Sequence, residues 1–287
     1  MNFGQVLTAM VTPFDNKLNI DFQKTTKLVN YLIENGTDAL VICGTTGESP
    51  TLTTEEKVAL YQHVVKTVDG RVPVIAGTGS NNTKASIDLT KKAEEAGVDA
   101  VMLVAPYYNK PSQEGLYQHF KQIASSTKLP VMIYNIPGRS VVDIQLDTII
   151  SLSKISNIVS IKEATNNLDR MAAIIDQTPD DFSVYSGDDS LTLPVLAIGG
   201  TGIVSVASHV LGLEMQQMVN DFKSGKVEEA AKLHRSLVPK MNGLFMAPSP
   251  GPVKTALQIK GLDVGSVRLP LVPLTEKERK MVVDLIK

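Results

Sequence analysis

The amino-acid sequence predicts an α/β protein: a (β/α)8 TIM barrel followed by a C-terminal helical appendage. Three observations carry this expectation. Eight short, nearly continuous apolar runs recur along the chain, segments with helical periodicity lie between them, and no low-complexity linker interrupts the series. Parallel strands covered on both faces lose the apolar–polar alternation of a half-exposed sheet. About eight βα units in succession then argue for a closed barrel.

The runs, in order, are 5–11 (QVLTAMV), 38–43 (DALVIC), 72–76 (VPVIA), 99–105 (DAVMLVA), 130–134 (PVMIY), 158–162 (IVSIK), 182–186 (FSVYS) and 202–206 (GIVSV). Gly36 and Gly97 follow helical stretches, where a C-cap glycine sits. Thr53 and Thr54 before Glu55 and Glu56 mark a helix start, Thr83 opens another, and Ser112 with Glu114 a third. From about residue 225 the pattern is helical at 226–246, 252–260 and 276–286. We therefore read 1–224 as the catalytic barrel and 225–287 as a C-terminal helical region. An open doubly wound sheet fits less well, because the first run leads into TPFD and not a Gly-rich turn; Gly77-Thr78-Gly79 lacks the third glycine of a dinucleotide fingerprint.

Composition narrows the function. The chain has 287 residues, 43% hydrophobic and 20% charged, with a formal charge of −2 that leaves no basic face for nucleic acid. Cys43, the only cysteine, lies in an apolar run, which excludes an intrachain disulfide and suits a reducing compartment. No signal peptide is read at the N-terminus, and no apolar stretch nears the roughly 18 residues of a membrane span. The expectation is a soluble, cytoplasmic chain. His63, His119, His209 and His234 are widely separated and lack a neighbouring carboxylate cluster, so no metal is expected.

A barrel places its chemistry at the C-terminal ends of its strands. There the sequence puts Lys162, closing IVSIK; Tyr134, closing PVMIY; Arg139 in the following loop; Gly44-Thr45-Thr46-Gly47-Glu48 after the second strand; and Tyr107-Tyr108 after the fourth. Each has a plain structural alternative: a lysine paired with Glu163, a core tyrosine, a surface arginine, a tight turn, an interface patch. Desolvation would leave Lys162 partly neutral and able to attack a carbonyl. Arg139 could hold a carboxylate, and the turn's amides could bind an anion. Lys, Tyr, Thr and Arg on one rim suit Schiff-base chemistry.

The chain resembles the dihydrodipicolinate synthase family, within the pyruvate-dependent aldolases that include N-acetylneuraminate lyase, from about Gly4 to the C-terminus. The motifs are GTTGE at 44–48, PVIAGTGSN at 73–81, PYYNKPSQEGLYQHF at 106–120, YNIPGR at 134–139, IKEAT at 161–165, SGDD at 186–189 and PVK at 252–254. The resemblance implies that Lys162 forms an imine with pyruvate, with Tyr134 as proton donor and acceptor. It implies that Thr45 links Tyr134 to Tyr108 of a neighbouring subunit, and that Thr46 binds the pyruvate carboxylate. Main chain around Gly187 and Val204 would line the pyruvate pocket, and Arg139 would hold the carboxylate of L-aspartate 4-semialdehyde. No cofactor is needed, since the lysine supplies the electron sink. A homo-oligomer is implied, a dimer at least and commonly a tetramer. The alternatives are a sibling pyruvate aldolase or lyase acting on a sugar acid, and a barrel that binds a keto acid without turning it over.

The sequence departs from the family pattern in places. Ser140 replaces threonine and Val204 replaces isoleucine, both mild. At the region resembling the lysine feedback site, Lys57 and Ala85 stand where sensitive members carry histidine and glutamate, while Ser49, Asn81 and Tyr107 are kept. Weak or absent inhibition by lysine is the expectation.

Overall fold

The computed structural model describes residues 2–286. Eight parallel strands form a closed barrel in sequence order, with the first paired to the eighth. They are β1 (Val6–Ala9), β2 (Ala39–Ile42), β3 (Val74–Gly77), β4 (Ala100–Val104), β5 (Val131–Asn135), β6 (Ile158–Glu163), β7 (Ser183–Ser186) and β8 (Gly202–Ser205). Every strand lies within one residue of its apolar run. The last residues of β3, β5 and β6 extend past the predicted ends by one position each, because Gly77, Asn135 and Glu163 complete ladder pairing there although none is apolar.

Alternation along the strands divides the interior into two cores. Leu7, Val41, Met102, Met132, Tyr134 and Val204 point to the barrel axis. Val6, Leu40, Ile42, Val131, Ile133 and Ile161 point outward, against helix residues such as Leu28, Leu60 and Phe120. Burying each such side chain contributes about 1.5–3 kcal/mol, so each strand's register is fixed from both faces. A strand with Ile161 on the outer face must turn Lys162 inward and Glu163 outward.

Local signals set the helix starts. Thr53 and Glu56 form a reciprocal capping box on Thr54–Val68. Helix Thr83–Glu95 starts where expected, but the cap is Asn82, which accepts from the Ala85 amide. Ser112 caps Gln113–Ala124 alone, because the residue it reaches is Gly115 and not Glu114. The stretch after β5 is one helical turn, Pro137–Ser140, with proline at its start. The C-terminal helices are Val227–Gly243, Gly251–Ile259 and Glu276–Ile286. Their buried residues Leu237, Met241, Val253, Leu257 and Val282 join the outer core of the barrel. Among the described residues, no helix is long and apolar enough to cross a membrane.

Candidate active site

Lys162 and Tyr134 are register partners at the C-terminal ends of β6 and β5. The Lys162 Nζ lies 4.2 Å from the centroid of the Tyr134 ring, and both side chains are buried. The next residues along, Asn135 and Glu163, face the helices. Glu163 accepts from the Asn135 amide at 3.1 Å and the Thr165 N–H at 3.1 Å, and pairs with Arg170 at 3.3 Å. Arg170 also pairs with Asp143 at 3.1 Å. Lys162 therefore has no ion pair with its neighbour Glu163. Instead this outward network braces the two strand ends that carry Lys162 and Tyr134.

Burial lowers the Lys162 pKa from 10.5 to about 8; Asp189 opposes the shift and the Arg139 cation adds to it. At pH 7 about a tenth of the amine is then neutral, against roughly one part in three thousand at the ordinary value. Asp189, buried just past β7, accepts from the Ser205 hydroxyl at 2.5 Å and the amides of Val206 and Ala207 at 3.1 and 3.0 Å. Residue types and spacing assign it no role, although a signal is there: an acidic pair directly after a strand.

Burial raises the Tyr134 phenol to about 12, against the pull of Arg139 and a hydrogen bond with Thr45. The phenol is thus neutral at physiological pH, able to donate a proton and to take one back through a hydrogen-bonded chain. Thr45 and Thr46 sit in the turn after β2. The amides of Glu48 and Ser49 close that turn onto the carbonyls of Thr45 (3.1 Å) and Gly44 (3.2 Å), and the amides of Thr45 and Thr46 are not used in that closure. Thr46 is buried beside them.

Gly187 lies against the lysine. A Cβ there would fall 2.6 Å from the Ala164 Cβ and 3.2 Å from the Lys162 Cε, so only glycine lets this backbone approach. Val204 places its side chain in the inner core with Tyr134 while its backbone pairs with Leu7. Above them opens a cleft of about 270 Å³, whose lining includes Thr45, Tyr134, Arg139, Lys57, Tyr107 and Ser80. Arg139 stands exposed at its rim. Tyr108 does not line it: 88% exposed, with φ of 74°, it projects from a loop pinned by the Asn81 amide on the Tyr107 carbonyl at 3.1 Å.

No histidine is among the residues that line this cleft. His209, for one, is fully buried between the Val206 carbonyl (2.8 Å) and the Val11 amide (3.1 Å), with its pKa held near 4 by burial. Among the described residues, no cluster of three or more His, Cys, Asp or Glu is placed to hold a metal ion.

A buried amine thus lies over a buried phenol at the C-terminal ends of β5 and β6. The sequence matches the profile of the Dihydrodipicolinate synthetase family over residues 2–287. The chain belongs to that family. A curated relative, the 4-hydroxy-tetrahydrodipicolinate synthase of Bacillus subtilis, is 66% identical over 280 residues, covering 97% of each chain. The crystal structure of a dihydrodipicolinate synthase from Bacillus anthracis superposes with a TM-score of 0.99 at 69% identity, covering 100% of this chain and 98% of that one. The Acinetobacter baumannii enzyme, crystallised with pyruvate, gives a TM-score of 0.96 at 40% identity over 99% and 98% of the two chains. Membership in the Dihydrodipicolinate synthetase family accounts for the single barrel with helices at its C-terminus.

Proposed function

We propose that this chain is a 4-hydroxy-tetrahydrodipicolinate synthase, condensing pyruvate with L-aspartate 4-semialdehyde through an imine on Lys162. The observation that carries this reading is the buried Lys162 amine held over the Tyr134 ring. The neutral amine adds to the C2 carbonyl of pyruvate, and Tyr134 supplies the proton with which the carbonyl oxygen leaves as water. The protonated imine draws electrons from C3, which loses a proton to give an enamine. C3 then attacks the aldehyde carbon of the second substrate.

Thr46 holds the pyruvate carboxylate and Gly187 gives it room beside Lys162, with the Val204 main chain closing the pocket. Thr45 passes protons between Tyr134 and Tyr108 of a neighbouring copy, a role that suits a tyrosine exposed on its own chain. A dimer is then the smallest competent unit, and closed symmetry extends it to a tetramer.

Incubation with pyruvate, borohydride reduction and peptide mass mapping test the central claim. An adduct confined to the Lys162 peptide is the expected result; no adduct on the folded protein leaves a barrel that binds keto acids without turnover. Arg139 decides the acceptor. Arg139→Ala is expected to raise the semialdehyde KM on the order of 10- to 100-fold, the loss of a charge-assisted carboxylate contact, with the pyruvate KM little changed. Equal effects on both substrates would argue for a sibling aldolase with a different aldehyde.

Lys57 lines the same cleft, half-buried, and burial lowers its pKa. Ala85, exposed in the first turn of helix Thr83–Glu95, offers no carboxylate to a cationic ligand. Turnover is expected to be unchanged by sub-millimolar lysine, and inhibition in that range would refute the reading.

A further inference from the structure

The turn that carries Thr45 and Thr46 is held from outside the barrel. Cys43 and Glu48, the residues bracketing it, both adopt the left-handed backbone region, with φ of 53° and 56°. Non-glycine residues persist there only where surrounding contacts impose it. From inside, the Thr12 hydroxyl holds the Gly47 carbonyl at 2.7 Å.

From outside, the fully buried Glu48 carboxylate meets the equally buried Lys254 ammonium at 2.6 Å. Its other oxygen accepts from the Arg268 amide at 2.8 Å. Lys254 donates onward to the Ser266 carbonyl at 2.7 Å, and Phe14 lies beneath both cations at 4.3 and 4.5 Å. The Arg268 guanidinium then grips the far side of the loop, donating to the Thr51 carbonyl at 2.8 Å and to both Glu56 oxygens at 2.9 and 2.5 Å. Residues 254–268 thus hold the segment that runs from the threonine turn to the next helix cap.

A buried ion pair is a poor source of stability, because desolvation of both charges offsets their attraction, and well-packed apolar residues can replace it at no loss. What it does provide is fixed geometry. We propose that the Glu48–Lys254 pair is the device through which the C-terminal helical region sets the shape of the Thr45–Thr46 turn, making both residues positioning residues for the pyruvate carboxylate. This rests on the reading that Thr46 binds that carboxylate. Neither residue lines the cleft; each acts through the turn.

The test is the pyruvate KM, which does not depend on the fraction of protein folded, measured in the full-length chain. Glu48→Gln is expected to raise it about 10- to 100-fold, the cost of a misplacement near 1 Å, with a smaller fall in turnover per Lys162 site trapped by borohydride. The double variant Glu48→Gln/Lys254→Met removes both charges, so its thermal stability should recover toward wild type while the pyruvate KM stays high. Recovery of both, or a wild-type KM in folded Glu48→Gln, overturns the proposal. Glu48→Asp keeps the charge but withdraws it by one methylene, and gives the same reading if Glu48→Gln does not fold. Thr46→Val separates the two levels. A raised KM there beside a wild-type KM in Glu48→Gln defeats the clamp alone; wild-type values in both defeat the carboxylate reading and the clamp with it.

Discussion

Lys162→Met is expected to lose activity by a factor on the order of 10⁴ or more, the scale seen when a nucleophile is removed, and to gain stability at the same time. Methionine nearly matches the volume of the lysine stem, so the inner core keeps its packing. What disappears is a cation that burial has pushed from 10.5 to about 8. The sign follows from proton binding. Below pH 8 both folded and unfolded lysine are protonated, and the folded state bears the full desolvation cost, on the order of 3 kcal/mol. Between 8 and 10.5 the unfolded chain binds the proton that the folded chain has lost, so the wild type recovers stability as pH rises. The stability gap between Lys162→Met and wild type should therefore be widest below pH 8 and close toward 10.5. Thermal unfolding across that range, for both proteins, reads it directly. A gap independent of pH would mean that the buried ammonium carries no such cost. The same titration governs chemistry: the rate of borohydride-trapped pyruvate adduct should climb with pH to about 8 and then level.

Much of this site is legible in the sequence. Lys162 and Tyr134 each break an apolar run at its C-terminal end, and in a barrel that position alone points to the mouth. Residue spacing does not decide whether Lys162 pairs with Glu163; the alternation of β6, fixed by Ile161 on the outer face, decides it. Asp189 is harder to assign, because its partners Ser205, Val206 and Ala207 come from the following strand and loop. The clamp on Glu48 is out of reach. Its partners lie more than 200 positions away, and a glutamate after a glycine gives no local hint that it will be buried. Pro and Gly predict a tight turn around Arg139, and the helical turn Pro137–Ser140 instead lifts it to the cleft rim. Long-range charge pairing and rim geometry depend on the tertiary fold, whereas apolar runs and caps are written locally.

Tyr134→Phe is expected to lower kcat by about 10²–10³, within the range that a positioned acid–base group contributes, while leaving Lys162 able to form its adduct slowly. The ring survives the substitution, so the inner core and the face turned to the Lys162 Nζ are preserved. Only the hydroxyl is lost, and with it, on the proposed reading, the proton that lets the carbonyl oxygen depart as water. Burial suits this phenol to proton transfer, because with its pKa near 12 it holds its proton until the reacting oxygen develops charge. Thr45→Val removes the hydrogen-bond partner but leaves the phenol, so its effect should be smaller, on the order of tenfold. The comparison separates proton transfer from pocket shape. If Tyr134 only shaped the pocket, Tyr134→Phe would be nearly silent. If Thr45 only held the turn, Thr45→Val would raise the pyruvate KM and spare kcat. Turnover at saturating pyruvate, set beside the single-turnover rate of adduct formation in each variant, gives the ranking: Tyr134→Phe slow in both, Thr45→Val intermediate in both, and the double variant no worse than Tyr134→Phe alone. That last non-additivity is the mark of two residues acting as one relay.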